Sequence, residues 1–530
     1  MATIDRPLAL AQREGEHGHP GGGWTLRLHL AEEGVRQVLR QMQAAGGKRP
    51  GARAIRSIFY DTDGGKLQRK GYRLSIRSQG RRRFQHIETA RPGSLWRDAG
   101  RWSAEIEDGA PSRGSIQGTP LEDLLGDKAL GKLRRVFSVD LRRRNCIFER
   151  DGARILALLD TGTIMAGEAS EVIAELRLRL LDGPTGALSA FARELGASMH
   201  ASLTLRSHGE RGWRLLQGQR GSADADHHGD IRQGMTTMEA IESICRRGAA
   251  ALLDDLALLQ DGAGHHALHE TRIDLRRLRA ILSFCKPVLG LEGEGLPERL
   301  RELATFLGGA RELDVFCDRV LGPLRQDAPD APGLDAFAEA VERRRGQAHD
   351  EVAAYVRSPA MLEFGLGLVE WLGGLTTSEP SSAKQARLRD RPMSAFVNAR
   401  LQRRLDSFLK LSRDLRNATP DRQHDIRIRA KKLRYAVEAF HPGLDVKSGG
   451  KLLAKLRLVQ DLLGDLNDCR AGRVLALTYV RGGEANGAAS DFAAGFAAGV
   501  GTLDPSEALA RAAAVCDELA SLARRRPGKT

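Results

Sequence analysis

Up to about residue 216 the chain is built of short segments in which apolar and polar positions alternate with a period of two. Thr25–Leu30 (TLRLHL), Ser57–Asp61, Arg73–Arg77, Ala104–Glu107, Ile155–Leu159 and Ile173–Leu180 all follow this rule, which sends successive side chains to opposite faces of a strand. So many segments of this kind predict an antiparallel sheet closed into a barrel. Their polar face is heavily charged: it carries Arg27 and His29, Arg73 and Arg77, Glu105 and Glu107, and Glu175, Arg177 and Arg179. Charge on one face of a single strand ordinarily marks solvent, but its recurrence across many strands predicts a polar-lined tunnel.

Beyond a Gly-, Asp- and Gln-rich stretch the period becomes helical, with long Ala- and Leu-rich amphipathic runs. A Ser-, Thr-, Gly- and Pro-rich loop, Gly373–Pro392, divides this part into halves of comparable size. The predicted organisation is α+β and multidomain. A flexible tail (1–23) precedes a strand-rich tunnel domain (24–216) and a linker (217–233). An all-α domain (234–525, halves 234–373 and 393–525) and a short tail (526–530) follow. His227 and His228 fall in the linker and read as inert.

Each helical half contains one histidine followed by helically spaced cations. The first set is His269, Arg272, Arg276, Arg277 and Arg279; the second is His424, Arg427, Lys431, Lys432 and Arg434. At about 100° per residue, the cations at +3, +7 and +10 share one narrow face with the histidine. Leu275 and Leu278, and Leu433 in the second copy, lie on the opposite side. Glu270, Asp274 and Asp425 also fall away from the stripe, so the helix does not neutralise it internally. A Leu-Gly pair follows each histidine at a similar distance: Leu307-Gly308, leading to Arg311, Glu312 and Asp314, and Leu463-Gly464, leading to Asn467 and Asp468. An internal duplication of a helical hairpin accounts for both copies.

The formal charge of +14 reinforces the expectation of a polyanionic partner. Aromatics are only 5% of residues, which disfavours single-stranded nucleic acid, whose bases need aromatic platforms. Six cysteines are scattered without a CxxC pair and read as small buried side chains rather than a zinc site or disulfides. With no apolar leader or spanning segment, the expected location is the cytoplasm, with no membrane partner.

The twin His-x-x-Arg helices resemble the CHAD domain, over roughly residues 235–525. This resemblance implies two pseudo-symmetric four-helix bundles whose basic helices face a central groove. It also implies binding of inorganic polyphosphate, and association with polyphosphate granules. Phe59-Tyr60-Asp61-Thr62, the Gly71–Arg77 strand, Leu158-Leu159-Asp160 and Glu210-Arg211-Gly212-Trp213-Arg214 are similar to the CYTH fold, the tunnel of triphosphate-processing metalloenzymes. That family opens on a Glu-x-Glu-x-Lys strand, where this chain has Thr25, Arg27 and His29. Arg177 and Arg179 replace expected glutamates, Glu88 and His208 replace lysines, and Ser75 replaces an arginine.

The implied catalysis needs Mg²⁺ or Mn²⁺, which arginines at these positions would repel. The expectation is therefore a tunnel with no catalytic residues and no required cofactor. Glu105, Glu107, Asp160 and Glu175 are its residual metal candidates, and Arg73, Arg77, Arg101 and Arg211 its candidate anion ligands.

Three functions follow. The first is polyphosphate binding in which Arg272, Arg276, Arg279, Arg427, Lys431 and Arg434 line the groove. Arg277 and Lys432 flank these residues, and His269 and His424 hold or supplement the row. The second is a metal-dependent triphosphatase whose helical half recruits substrate. The third, disfavoured, is nucleic-acid binding blind to sequence. For the histidines, a core hydrogen bond, a phosphate contact and metal ligation stay open, metal being the weakest. Oligomeric state is not legible.

Overall fold

The computed structural model describes residues 25–46, 51–89, 101–126, 130–196, 201–204, 206–217, 231–232, 234–260, 264–290, 295–375, 378–441, 444, 446–482, 488–500 and 505–524. The predicted tails and nearly all of the linker, including His227 and His228, lie outside these residues.

The chain begins with β1 (Thr25–Leu30), α1 (Glu32–Gly46), β2 (Arg53–Thr62), the short α2 (Lys66–Arg69), β3 (Tyr72–Gln79), β4 (Arg82–Thr89) and β5 (Arg101–Ile106). Next come β6 (Leu133–Arg150), β7 (Ala153–Ala166), β8 (Ala169–Asp182), α3 (Thr185–Gly196), β9 (Ala201–Leu203) and α4 (His208–Leu216). The strands form one antiparallel sheet in the order β5-β4-β3-β2-β6-β7-β8-β1-β9. Among the described residues β5 and β9 end the ladder and are not hydrogen-bonded to each other.

Register gathers the charges of the polar face into rows. Arg53, Arg143, Asp160, Glu175, His29 and Ser202 face one another across β2, β6, β7, β8, β1 and β9. The adjacent row on that face runs Asn145, Leu158, Arg177 and Arg27. The same pleat parity continues into Ile55, Phe59, Phe137, Val139, Leu141, Ile164 and Ile173, which pack with Trp213 and Leu215 of α4. The charged face is therefore apolar over part of its length, where α4 covers it. Phe137 stacks on Phe59 at 4.4 Å and meets Trp213 edge-on at 5.9 Å. A methyl group at Gly212 would overlap the Phe137 ring, so glycine sets the approach of α4.

The helical part comprises α5 (Thr237–Gln260), α6 (Gly264–Leu289), α7 (Leu296–Phe316) with a π-helical turn at Cys317–Leu321, and α8 (Gly322–Asp327). It continues with α9 (Leu334–Val356), α10 (Pro359–Gly374), α11 (Ala383–Asp390), α12 (Met393–Leu411) and α13 (Pro420–Phe440). The last helices are α14 (Val446–Gly482), α15 (Ala488–Val500) and α16 (Pro505–Arg524). Helix α11 lies inside the expected loop 373–392. Its start is an N-cap in which Ser382 accepts from the Gln385 amide, and Gln385 in turn donates to the Val288 carbonyl at 2.9 Å.

The chain divides into two compact units that do not follow the linear division. Residues 249–262 and 355–373 belong with 1–224, whereas 225–248, 263–354 and 374–530 form the second unit. In the first unit Arg193 of α3 bridges to Glu363 and Glu370 of α10, the latter at 2.9 Å. Asp254 of α5 receives Arg206 and the Thr204 hydroxyl. The strand-rich domain thus takes two helical segments that sequence periodicity assigned elsewhere.

In the second unit α6 packs on α7 and α13, and α14 packs on α13, α7, α15 and α16. Leu275, Leu278 and Leu433 are buried as the helical pattern requires. The two Leu-Gly pairs are not equivalent. A Cβ at Gly308 would sit 3.1 Å from Arg272 Nη1, whereas Gly464 meets nothing within 4 Å. All six cysteines are free, and Cys245, Cys285, Cys317 and Cys516 are buried. Among the described residues no single helix is long and apolar enough to cross a membrane.

Candidate functional site

The basic stripes of α6 and α13 lie against each other. The guanidinium of Arg434 stands 4.6 Å from the Tyr435 ring centre, and that of Arg277, from the opposite helix, stands 5.9 Å from the same ring. Lys431 is pushed down to about 7 by burial and then by Arg427, Arg276 and Arg434, with only Asp468 opposing. Lys432 is lowered by burial and by Arg404, Arg279 and Arg429. Each lysine thus feels an arginine of the other copy. Arg272 falls to about 10, mainly through burial and Arg276, and donates to the Ala304 carbonyl at 2.8 Å.

The stripe is partly neutralised after all, by Asp274 and Glu438 of the same helices and by Asp468 of α14. Arg427 is 3.7 Å from Asp468, Arg434 is 3.1 Å from Glu438, which also receives Arg457, and Arg277 is 3.5 Å from Asp274. Arg272, Arg276, Arg279, Lys431 and Lys432 form no ion pair among the described residues. Buried Nε atoms of Arg272, Arg276, Arg427 and Arg434 likewise lack a hydrogen-bond partner among them. Like charges held this close, with donors unsatisfied, are a standing cost unless an anion accepts from them.

The histidines differ. His269 is pushed down to about 4 by burial, Arg311 and Arg276, so it is neutral at physiological pH and adds no charge to the free protein. His424 is exposed, and its Nδ1 lies 3.1 Å from the Asn467 side-chain oxygen, which orients the ring. Tyr435, Glu438 and Arg404 are absent from the sequence pattern. Tyr435 follows Arg434 directly, but only the packing of α6 on α13 places a second guanidinium near it.

In the strand-rich unit the candidate residues separate. Arg73 is buried, 3.1 Å from Glu210, whose carboxylate also accepts from the Ser207 amide in the capping box of α4. Arg211 binds Glu171 at 2.6 Å and the Val172 carbonyl at 3.0 Å. Both tie α4 to the sheet and are not available to a ligand. Arg77 donates to the Ser57 hydroxyl at 3.4 Å. Arg101 begins β5 opposite Glu88, and its side chain lies outside the description. Glu105 is held by Arg82 on an exposed surface, and Glu107 lies exposed just past β5.

Asp160 and Glu175, with His208, do come together, their ligand atoms within 4.8 Å of one another. Arg143 binds both Asp160 oxygens at 2.7 Å, and Arg177 stands 3.6 Å from the same carboxylate. Glu175 has Arg177 at 3.3 Å, His208 at 3.3 Å, Arg211 at 3.8 Å and Arg27 at 3.9 Å. Burial raises both carboxyls, yet these cations hold Asp160 below and Glu175 well below the ordinary range. Two carboxylates facing four arginines do not fit a divalent cation. The acids that survive from the expected metal set serve as counter-ions.

An Asp160→Asn variant discriminates these roles. It leaves Arg143 without its bidentate partner in a buried site and is expected to lower unfolding stability by about 3–5 kcal/mol. Thermal melts with and without Mn²⁺ check this: the loss should be the same in both, because no ion is displaced.

Comparison with known proteins bears on the helical unit. Residues 243–476 match the CHAD domain family, a span that includes the segments 249–262 and 355–373 grouped with the first unit. Two uncharacterized proteins from strains of Mycobacterium tuberculosis are each 28% identical over 316 residues, covering 57% of this chain and 53% of their own length. The chain spans about half the length of these curated relatives. Among solved structures, the CHAD domain from the plant Ricinus communis is 23% identical. It covers 58% of this chain and 99% of its own, with a TM-score of 0.47. A Hippeastrum protein described as having a dominant triphosphatase activity is 15% identical. It covers 37% of this chain and 96% of its own, with a TM-score of 0.28.

Proposed function

We propose that this protein binds inorganic polyphosphate on the joint face of α6 and α13, and that its strand-rich unit is not catalytic. The observation that supports the reading is the set of unpaired cations, Arg272, Arg276, Arg279, Lys431 and Lys432, drawn from two helices that pack on each other. A flexible polyanion satisfies such a set better than a small ion, because successive phosphates reach successive cations and release counter-ions as they do. His424 is held ready at the edge, and neutral His269 serves as a hydrogen-bonding group. The partner is the phosphate chain itself, free or in cytoplasmic granules, and no metal or cofactor is required.

Metal-dependent triphosphate hydrolysis remains the second reading, favoured only by the meeting of Asp160, Glu175 and His208. One experiment on the full chain addresses both. Long-chain polyphosphate is competed against duplex and single-stranded nucleic acid at fixed physiological salt, and tripolyphosphate turnover is followed with Mg²⁺ or Mn²⁺. The expected result is preference for polyphosphate and no turnover. Equal displacement by nucleic acid, or turnover lost on chelation, overturns the proposal.

A further inference from the structure

Away from the unpaired cations, three helices of the second unit bring metal-capable side chains to one point. His265 stands in the first turn of α6, Asp314 near the end of α7 and His349 on α9. His349 Nε2 lies 2.9 Å and His265 Nδ1 3.5 Å from Asp314 Oδ1. The two imidazole rings are 5.4 Å apart and nearly perpendicular, at 83°. All three ligand atoms fall within 4.8 Å of one another. Tetrahedral coordination at about 2.0–2.2 Å sets ligands roughly 3.3–3.6 Å apart, so His349 must draw slightly back from Asp314, whereas His265 already stands at the required separation from it. Asp314 is fully buried, and its Oδ2 accepts no hydrogen bond among the described residues.

The point is occupied by a guanidinium. Arg345, one turn before His349 on α9, donates from Nε to Asp314 Oδ1 at 2.9 Å, and its Nη2 lies 2.8 Å from His265 Nδ1. An arginine donor pressed against an imidazole nitrogen requires that nitrogen to be the lone-pair one, which is also the state that binds a metal. Arg345 has a second carboxylate within reach, Glu342 at 3.2 Å on its own helix and half exposed. The guanidinium can therefore leave Asp314 without losing an ionic partner.

We propose that His265, Asp314 and His349 form a binding site for a borderline divalent transition metal such as Zn²⁺. Arg345 fills this site in the metal-free protein and turns to Glu342 when the ion enters. Two imidazoles and one carboxylate suit this class of ion, whereas Mg²⁺ and Ca²⁺ take oxygen ligands. Three protein ligands leave a coordination position for water. The site links α6, α7 and α9, and Arg311, 3.7 Å from Asp314, also stands beside His269. Neither the geometry nor the ion depends on polyphosphate binding.

The test uses the full chain with Zn²⁺ alone in calorimetry, and Co²⁺ as a spectroscopic probe. Expected are one ion per chain and the visible spectrum of tetrahedral nitrogen–oxygen ligation. His265→Ala and His349→Ala should each weaken affinity at least about tenfold. His265 is exposed, so its variant keeps the fold, and a thermal melt checks this. Arg345→Met should bind Zn²⁺ more tightly, because a competing cation is gone, although it removes an ion pair. Failure of the wild type to bind overturns the proposal. So does unchanged affinity in the His265→Ala, His349→Ala double variant, or an Arg345→Met variant that binds no tighter.

Discussion

Reversing the charge at Arg276 and Lys431 together, by glutamate at both, is expected to remove polyphosphate binding while leaving the fold intact. Arg276 belongs to α6 and Lys431 to α13, so the pair removes one central contact from each copy. Hydrogen bonds to charged groups contribute about 1.5–3 kcal/mol each, so losing two weakens affinity roughly 10²-fold or more. Repulsion by the new carboxylates adds to that. Neither residue holds an ion pair among the described residues, and Arg276 lowers Lys431 by repulsion. The two glutamates still repel each other, but each now faces the cations left in the stripe, among them Arg272, Arg427 and Arg434, so the melting temperature should stay level or rise. Titration of long-chain polyphosphate by fluorescence anisotropy, beside a thermal melt, checks both halves. The wild type should also lose roughly 10²–10³-fold in affinity between about 50 and 200 mM salt, as expected when some six cations release counter-ions from a single-stranded polyanion. Normal binding by the double variant would remove α6 and α13 from the binding surface.

Binding should also take up a proton. Lys431 sits near 7 in the free protein because it is buried among Arg427, Arg276 and Arg434, with Asp468 as the opposing charge. A phosphate chain favours the ammonium form, so the complex has a higher Lys431 value than the free protein. Affinity is then flat below about pH 6 and falls up to tenfold per unit as pH rises from about 7 towards the value in the complex. The stability of the ligand-free protein moves in the opposite direction. The folded-state value is depressed below the ordinary 10.5, so between about 7 and 10.5 the unfolded chain binds the extra proton and this group's contribution to stability rises with pH. Calorimetry in buffers of different ionisation enthalpy measures the uptake directly. Lys431→Arg, which stays charged, should bind with a much flatter pH profile. Equal pH profiles for wild type and variant would assign the proton to another group.

The parts legible in the sequence are those in which chemistry follows local period. β1 coincides with Thr25–Leu30, and Ser57–Asp61, Arg73–Arg77, Ile155–Leu159 and Ile173–Leu180 all lie within strands. Strands β4, β6 and β9 are not legible in this way. β6 reads LRRVFSVDLRRRNCIFER, and its runs of arginine obscure an alternation that the ladder on both sides enforces. Helix α11 is hidden because its Ser- and Gly-rich approach looks like loop, although Ser382 and Gln385 carry the spacing of an N-cap. The two helical segments that join the first unit are unreadable in principle: nothing in their own period says which core they enter.

The candidate site divides along the same line. That α6 and α13 each have an apolar back and a cationic front follows from a 3.6-residue period and needs no structure. Which cations stay unpaired does not follow from it alone, because beside the same-helix pairs Arg277–Asp274 and Arg434–Glu438 a carboxylate and an arginine of α14 also enter the stripe. Glu438 is shared by Arg434 of its own helix and Arg457 of α14, and Asp468 reaches Arg427 from α14.

By itself, then, the sequence determined the two amphipathic basic helices and the strand character of the first part. These depend on neighbours a few residues apart, whose geometry is set by the backbone. Only the tertiary structure decided that Asp160 and Glu175 are counter-ions to arginines and that α4 covers part of the charged face. It alone set Lys431 near neutrality and brought His265, Asp314 and His349 to one point. Charge and solvation act through space, over a few ångströms between residues far apart in the chain, and the fold sets those distances.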